Sequence, residues 1–236
     1  MAHSRSILTA AAMALIALLP ALSAHAALRP VVVELFTSQG CSSCPPADAL
    51  LAELARRDDV LALGFHVTYW DRLGWKDPLS SPPATERQRD YARRFNDGQL
   101  YTPQMVIDGV DEMVGSDRNA VLAAVQAARP AAVAPVSFAA DRHSVTVGAT
   151  SAAAAEGRVL LIRFAEHRTT HVGSGENSGK TAEDAHGVEA LTMLGAWNGQ
   201  QHEFPITPPG PGEGLAVLVQ ASDGHMLGDA AVISQE

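Results

Sequence analysis

The sequence predicts an α/β domain followed by a small all-β, sandwich-like domain. Three observations carry that prediction. Residues 31–55, VVVELFTSQGCSSCPPADALLAELA, change from an apolar strand run to helical spacing within one short stretch. Strand and helix signals then alternate as far as residue 128. From Ala131 onward helical spacing disappears, and short alternating or apolar runs are divided by turn clusters.

Val31 to Phe36 is rich in β-branched and apolar residues and reads as a buried strand. Thr37 to Gly40 is a tight polar link. Cys41-Ser42-Ser43-Cys44 follows, holding the only two cysteines of the chain. Ala47, Leu50, Leu51 and Leu54 then fall at helical spacing. Pro45 and Pro46 are tolerated only in a first helical turn, so the helix should begin near Ser43 or Cys44. The pair thus lies where a strand hands over to a helix N-terminus. Unpaired N–H groups there favour a thiolate, the nucleophile of thiol–disulfide exchange. Cysteines three apart can close a disulfide, but so small a loop is a weak staple, which favours a redox-active pair over a structural bridge. Cys41, the first and more exposed sulfur, is the expected nucleophile, and Cys44 the resolving thiol.

Val60 to Val67 reads as a second buried strand, and Thr68 to Pro83 as an aromatic, proline-rich loop. Ala84 to Phe95 is a helix with acid early and arginine late, stopped by Gly98. Gln104 to Ile107 and Glu112 to Val114 form a hairpin around Asp108-Gly109. Ser116 or Asp117 caps a helix through Ala128, ended by Arg129-Pro130. Later strand runs are Val136–Ala139, Ser144–Val147, Arg158–Ala165, Gly187–Ala196, Leu215–Gln220 and Ala230–Ile233.

Arg5, the apolar run Ile7 to Leu19, Pro20 and Ala24-His25-Ala26 form the pattern of a cleavable signal peptide over residues 1–26. The run is too short for a membrane span, and no other stretch resembles one. The expectation is a mature chain starting near Ala27, periplasmic or secreted, and not an integral membrane protein. The domains expected are 27–130 and 131–236. A formal net charge of −9 over 236 residues argues against a nucleic-acid partner, whose phosphates need lysine and arginine. Partners are expected among protein thiols or disulfides of the cell envelope. No cofactor is expected.

Strand, helix, strand, helix, strand, strand, helix, with a dithiol after the first strand and Thr102-Pro103 before the third, resembles the thioredoxin fold. That resemblance implies a cis peptide bond at Pro103, with Thr102 and Pro103 offering backbone to a substrate chain. It also places Glu34 at the buried acid that assists the resolving thiol. The stretches ELFTSQGCSSCPPAD, HVTYWDRLGWKDP, TERQRDYA, YTPQMVIDG, VGSDRNAV, GSGENSGKT, LGAWNG and AVLVQ resemble an exported bacterial family, the domain of unknown function 1223 family, classed as thioredoxin-like. That resemblance covers most of the chain and implies a fold rather than a reaction.

Tyr69, Trp70 and Trp75 could line a groove beside the dithiol, with Trp70 and Trp75 gripping a partner chain, or could pack as core. His66 is expected to be a hydrogen-bonded structural histidine. Ser174 to Thr181 nearly matches a phosphate-binding loop, but Ser174 replaces its first glycine and no helix follows, so Gly173 to Gly179 reads as a flexible loop. His167, His171, His186, His202 and His225 show no metal-ligand spacing. The function these residues point to is an exported thiol–disulfide oxidoreductase acting on protein disulfides. Two alternatives stand beside it. One is a non-enzymatic binding module with a static bridge. The other is a Cu(I) carrier using both cysteines and a histidine.

Overall fold

A computed structural model describes residues 29–128, 132–152 and 155–232. The signal-peptide pattern, the expected helix stop at Arg129-Pro130 and the end of the last strand run at Ile233 lie outside them. Strand β1 (Val31–Thr37) and strand β2 (Val60–His66) are buried at every position and pair in parallel. Helix α1 (Pro45–Leu54) connects them. Helix α2 (Pro82–Phe95) leads to the antiparallel pair β3 (Gln104–Ile107) and β4 (Asp111–Val114), and helix α3 (Arg118–Ala127) follows. Thr68–Leu73, expected as loop, forms a 3-10 helix.

Helix α2 begins two residues before the expected Ala84. Ser81 caps it by accepting from the Ala84 N–H, and Pro82 and Pro83 fill the first turn, where their missing donors are not needed. Asp117 caps α3 in the same way, accepting from the Ala120 N–H at 3.1 Å.

The second half contains β5 (Val136–Phe138), β6 (Ser144–Val147), β7 (Gly157–His171), β8 (Thr181–Trp197), β9 (His202–Pro205), β10 (Glu213–Gln220) and β11 (Met226–Val232). Strands β7 and β8 are much longer than their apolar runs suggested. Their outer ends form a polar hairpin that carries no alternation signal. The β-rich half does not stand apart from the α/β half. One eight-stranded sheet runs β11-β10-β7-β8-β2-β1-β3-β4 through both. The two halves of that sheet meet at a single parallel pair, Gly64 with Gly187. The approach on β8 is close: a Cβ on Gly187 would lie 2.9 Å from Leu79 Cδ1, so the leucine would have to shift to admit one. A separate three-stranded sheet, β5-β6-β9, packs Val145, Val147 and Phe204 against Val159, Val217 and Val219 of the large sheet, a sandwich-like contact.

The pleat of β1 divides the first-half core. Val31, Val33 and Leu35 face Leu50, Leu51 and Leu54 of α1 and Val121 of α3. Val32 and Phe36 face Ala84 and Tyr91 of α2. Glu34 shares the α2 face. It accepts from Arg87 Nε and, at 2.9 Å, from Arg87 Nη2, and also from the Tyr91 hydroxyl. The Gln220 amide donates to Tyr91 Oη at 3.0 Å, tying β10 to the same group. Among the described residues no helix is long and apolar enough to cross a membrane.

Glu34 and Arg87 are both buried, so removing one partner strands the other without water. Glu34→Ala should therefore destabilise the fold by about 3–5 kcal/mol, read as a fall in the urea midpoint at unchanged m-value.

Candidate functional site

The site begins where β1 ends. The Cys41 N–H bonds the Ser38 carbonyl at 3.0 Å, turning the chain, and Cys44 becomes the N-cap of α1 with Pro45 and Pro46 behind it. Cys41 and Cys44 form a disulfide with their Cα atoms 5.5 Å apart. The sulfurs therefore lie just ahead of the helix. The Thr102-Pro103 bond is cis. The Thr102 carbonyl oxygen lies 4.0 Å from Cys41 Sγ, and Ser43 Oγ sits 3.3 Å from the same sulfur. The Trp70 indole N–H donates to Thr102 Oγ1 at 2.8 Å, fixing the proline loop from behind. Cys41, Cys44, Thr102, Pro103 and Trp70 thus come together from three separate parts of the chain.

Two expected features are placed differently. Cys41, expected to be open to solvent, has zero exposure, as does Cys44. Glu34 faces α2, whereas α1 packs on the opposite face of β1, and its oxygens are engaged by Arg87 and Tyr91. A proton-relay role does not fit that place, because the pleat turns its side chain away from the helix that carries Cys44.

A carboxyl close to the disulfide in the chain is Asp48, half-buried in the first turn of α1. Its N–H bonds the Cys44 carbonyl at 3.1 Å, and its Oδ1 accepts from Thr37 Oγ1 at 2.6 Å. Burial pushes its pKa up, opposed by the Thr37 hydrogen bond and the His66 charge and reinforced by Asp184 and Asp77, to about 7. Nothing local in the sequence separates Asp48 from an ordinary acid in a helix first turn.

Behind the Thr37–Gly40 link lies a buried polar cluster. His66 Nδ1 is 2.7 Å from Asp77 Oδ2, and its Nε2 is 3.7 Å from Asp184 Oδ1. The Gln39 N–H donates to Asp77 at 2.8 Å, and its side-chain amide donates to Asp184 at 2.6 Å. The Trp75 indole N–H donates to Gln39 Oε1 at 3.1 Å. Burial works to lower the His66 pKa, but the Asp77 hydrogen bond and the charges of Asp77, Asp184 and Asp48 outweigh it and raise it to about 9. Burial pushes Asp184 upward and Asp77 likewise, but His66 holds Asp77 below its usual range. His66 is thus the structural histidine expected. Its partners Asp77 and Asp184 were not legible, because neither shares a motif with it. A cavity of about 400 Å³ opens beside this cluster between α1 and β8, lined in part by Gln39, Asp48, Ala49, Ala52, Lys180 and Asp184.

The tip of the β7–β8 hairpin closes the other side. Asn177 Nδ2 donates to the carbonyls of Gln39 at 2.9 Å and Cys41 at 2.8 Å. Glu176 accepts from the Ser42 N–H at 3.1 Å. Ser174 Oγ donates to the Gly74 carbonyl, and Gly175 packs on Trp75, where a Cβ would come within 3.2 Å. Trp75 therefore lies under this tip, half-buried, rather than facing an open groove. Among the described residues no group of three His, Cys, Asp or Glu is arranged to hold a metal ion.

A mixed α/β frame with a buried disulfide at a strand-to-helix junction, facing a cis-proline loop, defines the class of protein. The chain belongs to the family described as protein of unknown function DUF1223, whose sequence profile matches residues 32–220. The X-ray structure of protein AGR_C_4864 from Agrobacterium tumefaciens is similar, with 30% identity, a TM-score of 0.72, and coverage of 89% of this chain and 96% of that one. HBP35 of Porphyromonas gingivalis shares the fold at a TM-score of 0.54 and 12% identity, over 87% of this chain and 75% of that chain. No curated protein matches.

Folding raises the His66 pKa from about 6.5 to about 9, so its contribution to stability is complete below pH 6.5 and is lost as pH rises through 9. The melting temperature should fall across that window, and His66→Gln should flatten the fall. An NMR titration of the His66 ring should give a midpoint near 9.

Proposed function

We propose that the chain is an exported thiol–disulfide oxidoreductase of thioredoxin-like build that acts on protein disulfides. The single observation behind this reading is the Cys41–Cys44 pair at the mouth of α1, 4.0 Å from the carbonyl before a cis proline. Residues 1–26 support export, and the strand and helix order to residue 128 supports the thioredoxin-like part.

In the reduced protein the Cys41 thiolate attacks one sulfur of a substrate disulfide. That S–S bond breaks, a mixed disulfide forms, and the departing substrate sulfur takes a proton. Cys44 then gives its proton to Asp48, whose pKa of about 7 suits a carboxylate that must accept and return protons near neutrality. The Cys44 thiolate attacks Cys41 Sγ, restores the internal disulfide and releases the second substrate thiol. The substrate gains two electrons, and the dithiol loses two. Thr102 and Pro103 offer backbone to the substrate chain, and Trp70 fixes their loop.

Cys41→Ser should abolish insulin reduction, and Cys44→Ser should accumulate mixed disulfides that resolve on adding dithiothreitol. Full insulin turnover by Cys41→Ser would end this reading.

The complete burial of both sulfurs favours a second reading, a static bridge on a binding scaffold. The reduction potential separates the two. A working dithiol should lie well above about −300 mV, and a structural bridge below it.

A further inference from the structure

The Cys41–Cys44 turn is gripped from one side by the hairpin tip from Gly173 to Lys180, which bonds its backbone through polar side chains. Within that tip Asn177 alone is buried, at 4% exposure, and the other residues face solvent. The rest of the tip is glycine and serine with Glu176 and Lys180. Gly175 and Gly179 have φ of 76° and 80°, so their turns depend on the absence of a side chain. Lys180 Nζ donates to Asn177 Oδ1 at 2.8 Å and orients the amide, whose two hydrogens then reach the carbonyls of Gln39 and Cys41. Glu176, fully exposed, takes the Ser42 N–H between the two cysteines. The tip therefore grips the backbone on either side of Cys41 and on Ser42, with no apolar side chain of residues 173–180 in the core.

We propose that this tip is a gate over the Cys41–Cys44 disulfide, and that Asn177, assisted by Glu176, is the specificity-determining latch that decides which thiols reach it. The inference rests on the oxidoreductase reading for its biological use, but its geometry is independent of that reading. When the gate opens, the two released carbonyls and the Ser42 N–H pass to water or to a partner chain, which can replace all three bonds with its own backbone groups. The partner class is thus an extended polypeptide segment, whose alternating donors and acceptors match what Asn177 and Glu176 vacate. A small thiol lacks those groups and must wait for spontaneous opening.

The probe is dithiothreitol acting on the oxidised full chain. One of its thiolates attacks Cys41 Sγ, and the Cys41–Cys44 bond breaks with its electron pair on Cys44, which takes a proton. The second thiolate then displaces Cys41, so the chain gains two electrons and two protons and dithiothreitol leaves as its cyclic disulfide. Thiols are trapped with maleimide over time and counted by mass. Asn177→Ala should be reduced about tenfold or more faster than the wild type, and Glu176→Gln faster by a smaller factor. Hydrogen exchange at the Ser42 and Cys44 amides should rise in the same order. If Asn177→Ala does not fold, the exposed Glu176→Gln carries the test alone. Equal reduction rates in wild type and variants of unchanged melting temperature would overturn the gate. Faster reduction of the variants without insulin turnover in any of them would leave the gate standing and remove the oxidoreductase reading. Insulin turnover with equal dithiothreitol rates would remove only the gate.

Discussion

The site depends on how Gln39 is satisfied. The link from β1 to Cys41 is buried, and a buried backbone turn cannot leave its polar groups unpaired. Gln39 resolves this with four bonds: its N–H to Asp77, its carbonyl from Asn177, its amide to Asp184 and its side-chain oxygen from Trp75. The 75–77 segment, β8 and the hairpin tip are drawn to one residue, two positions before Cys41. The partners in β8 and the hairpin tip lie 145 and 138 residues away in sequence. The local conformation of the dithiol is therefore held by the second half of the chain as much as by β1 and α1.

This explains why the two halves share one sheet although a single ladder pair joins them. Gly64 and Gly187 bring β2 and β8 together, and the polar cluster around His66 carries the load just beside that junction. A lone backbone pair contributes little. A buried imidazolium between two carboxylates fixes orientation, because any displacement leaves charge without a partner. The halves are thus held by these directional bonds together with one apolar cluster that spans the junction, in which Phe36, Leu63 and Phe65 of β1 and β2 join Ile162, Phe164 and Leu218 of β7 and β10.

The parts of this fold that were legible in the sequence are those governed by neighbouring residues. Val31–Thr37 and Val60–His66 announce themselves as apolar runs, Asp117 as a cap, and Thr102-Pro103 by its place before a strand. The misjudged boundaries have equally local causes. Pro82 and Pro83 read as loop, although proline suits a first helical turn. His167–His171 read as no strand, because the outer hairpin arms are exposed on both faces and carry no alternation. Glu34 was placed by motif position, and the pleat sent it to the other face. Asp77, Asp184 and Asn177 were beyond reach for a different reason. Each acts through a partner far along the chain, and a lone asparagine in a glycine-rich stretch looks the same whether it floats free or binds two carbonyls.

The nature of the seal sets what the site can do. An apolar plug over the dithiol would lose buried area on opening, a loss no incoming chain recovers without apolar anchors of its own. A polar seal exchanges hydrogen bonds, and the net free energy of that exchange is small because water or another backbone supplies replacements. The apolar side chains beside the tip are Trp75, on which Gly173 and Gly175 pack, and Val172 at its base. Leu73, half exposed at 51% on the 3-10 helix whose carbonyl approaches Gly175, stands at the edge of the tip, where an arriving chain first meets apolar surface. The tip thus holds the turn around Cys41 by bonds that an incoming backbone can replace group for group.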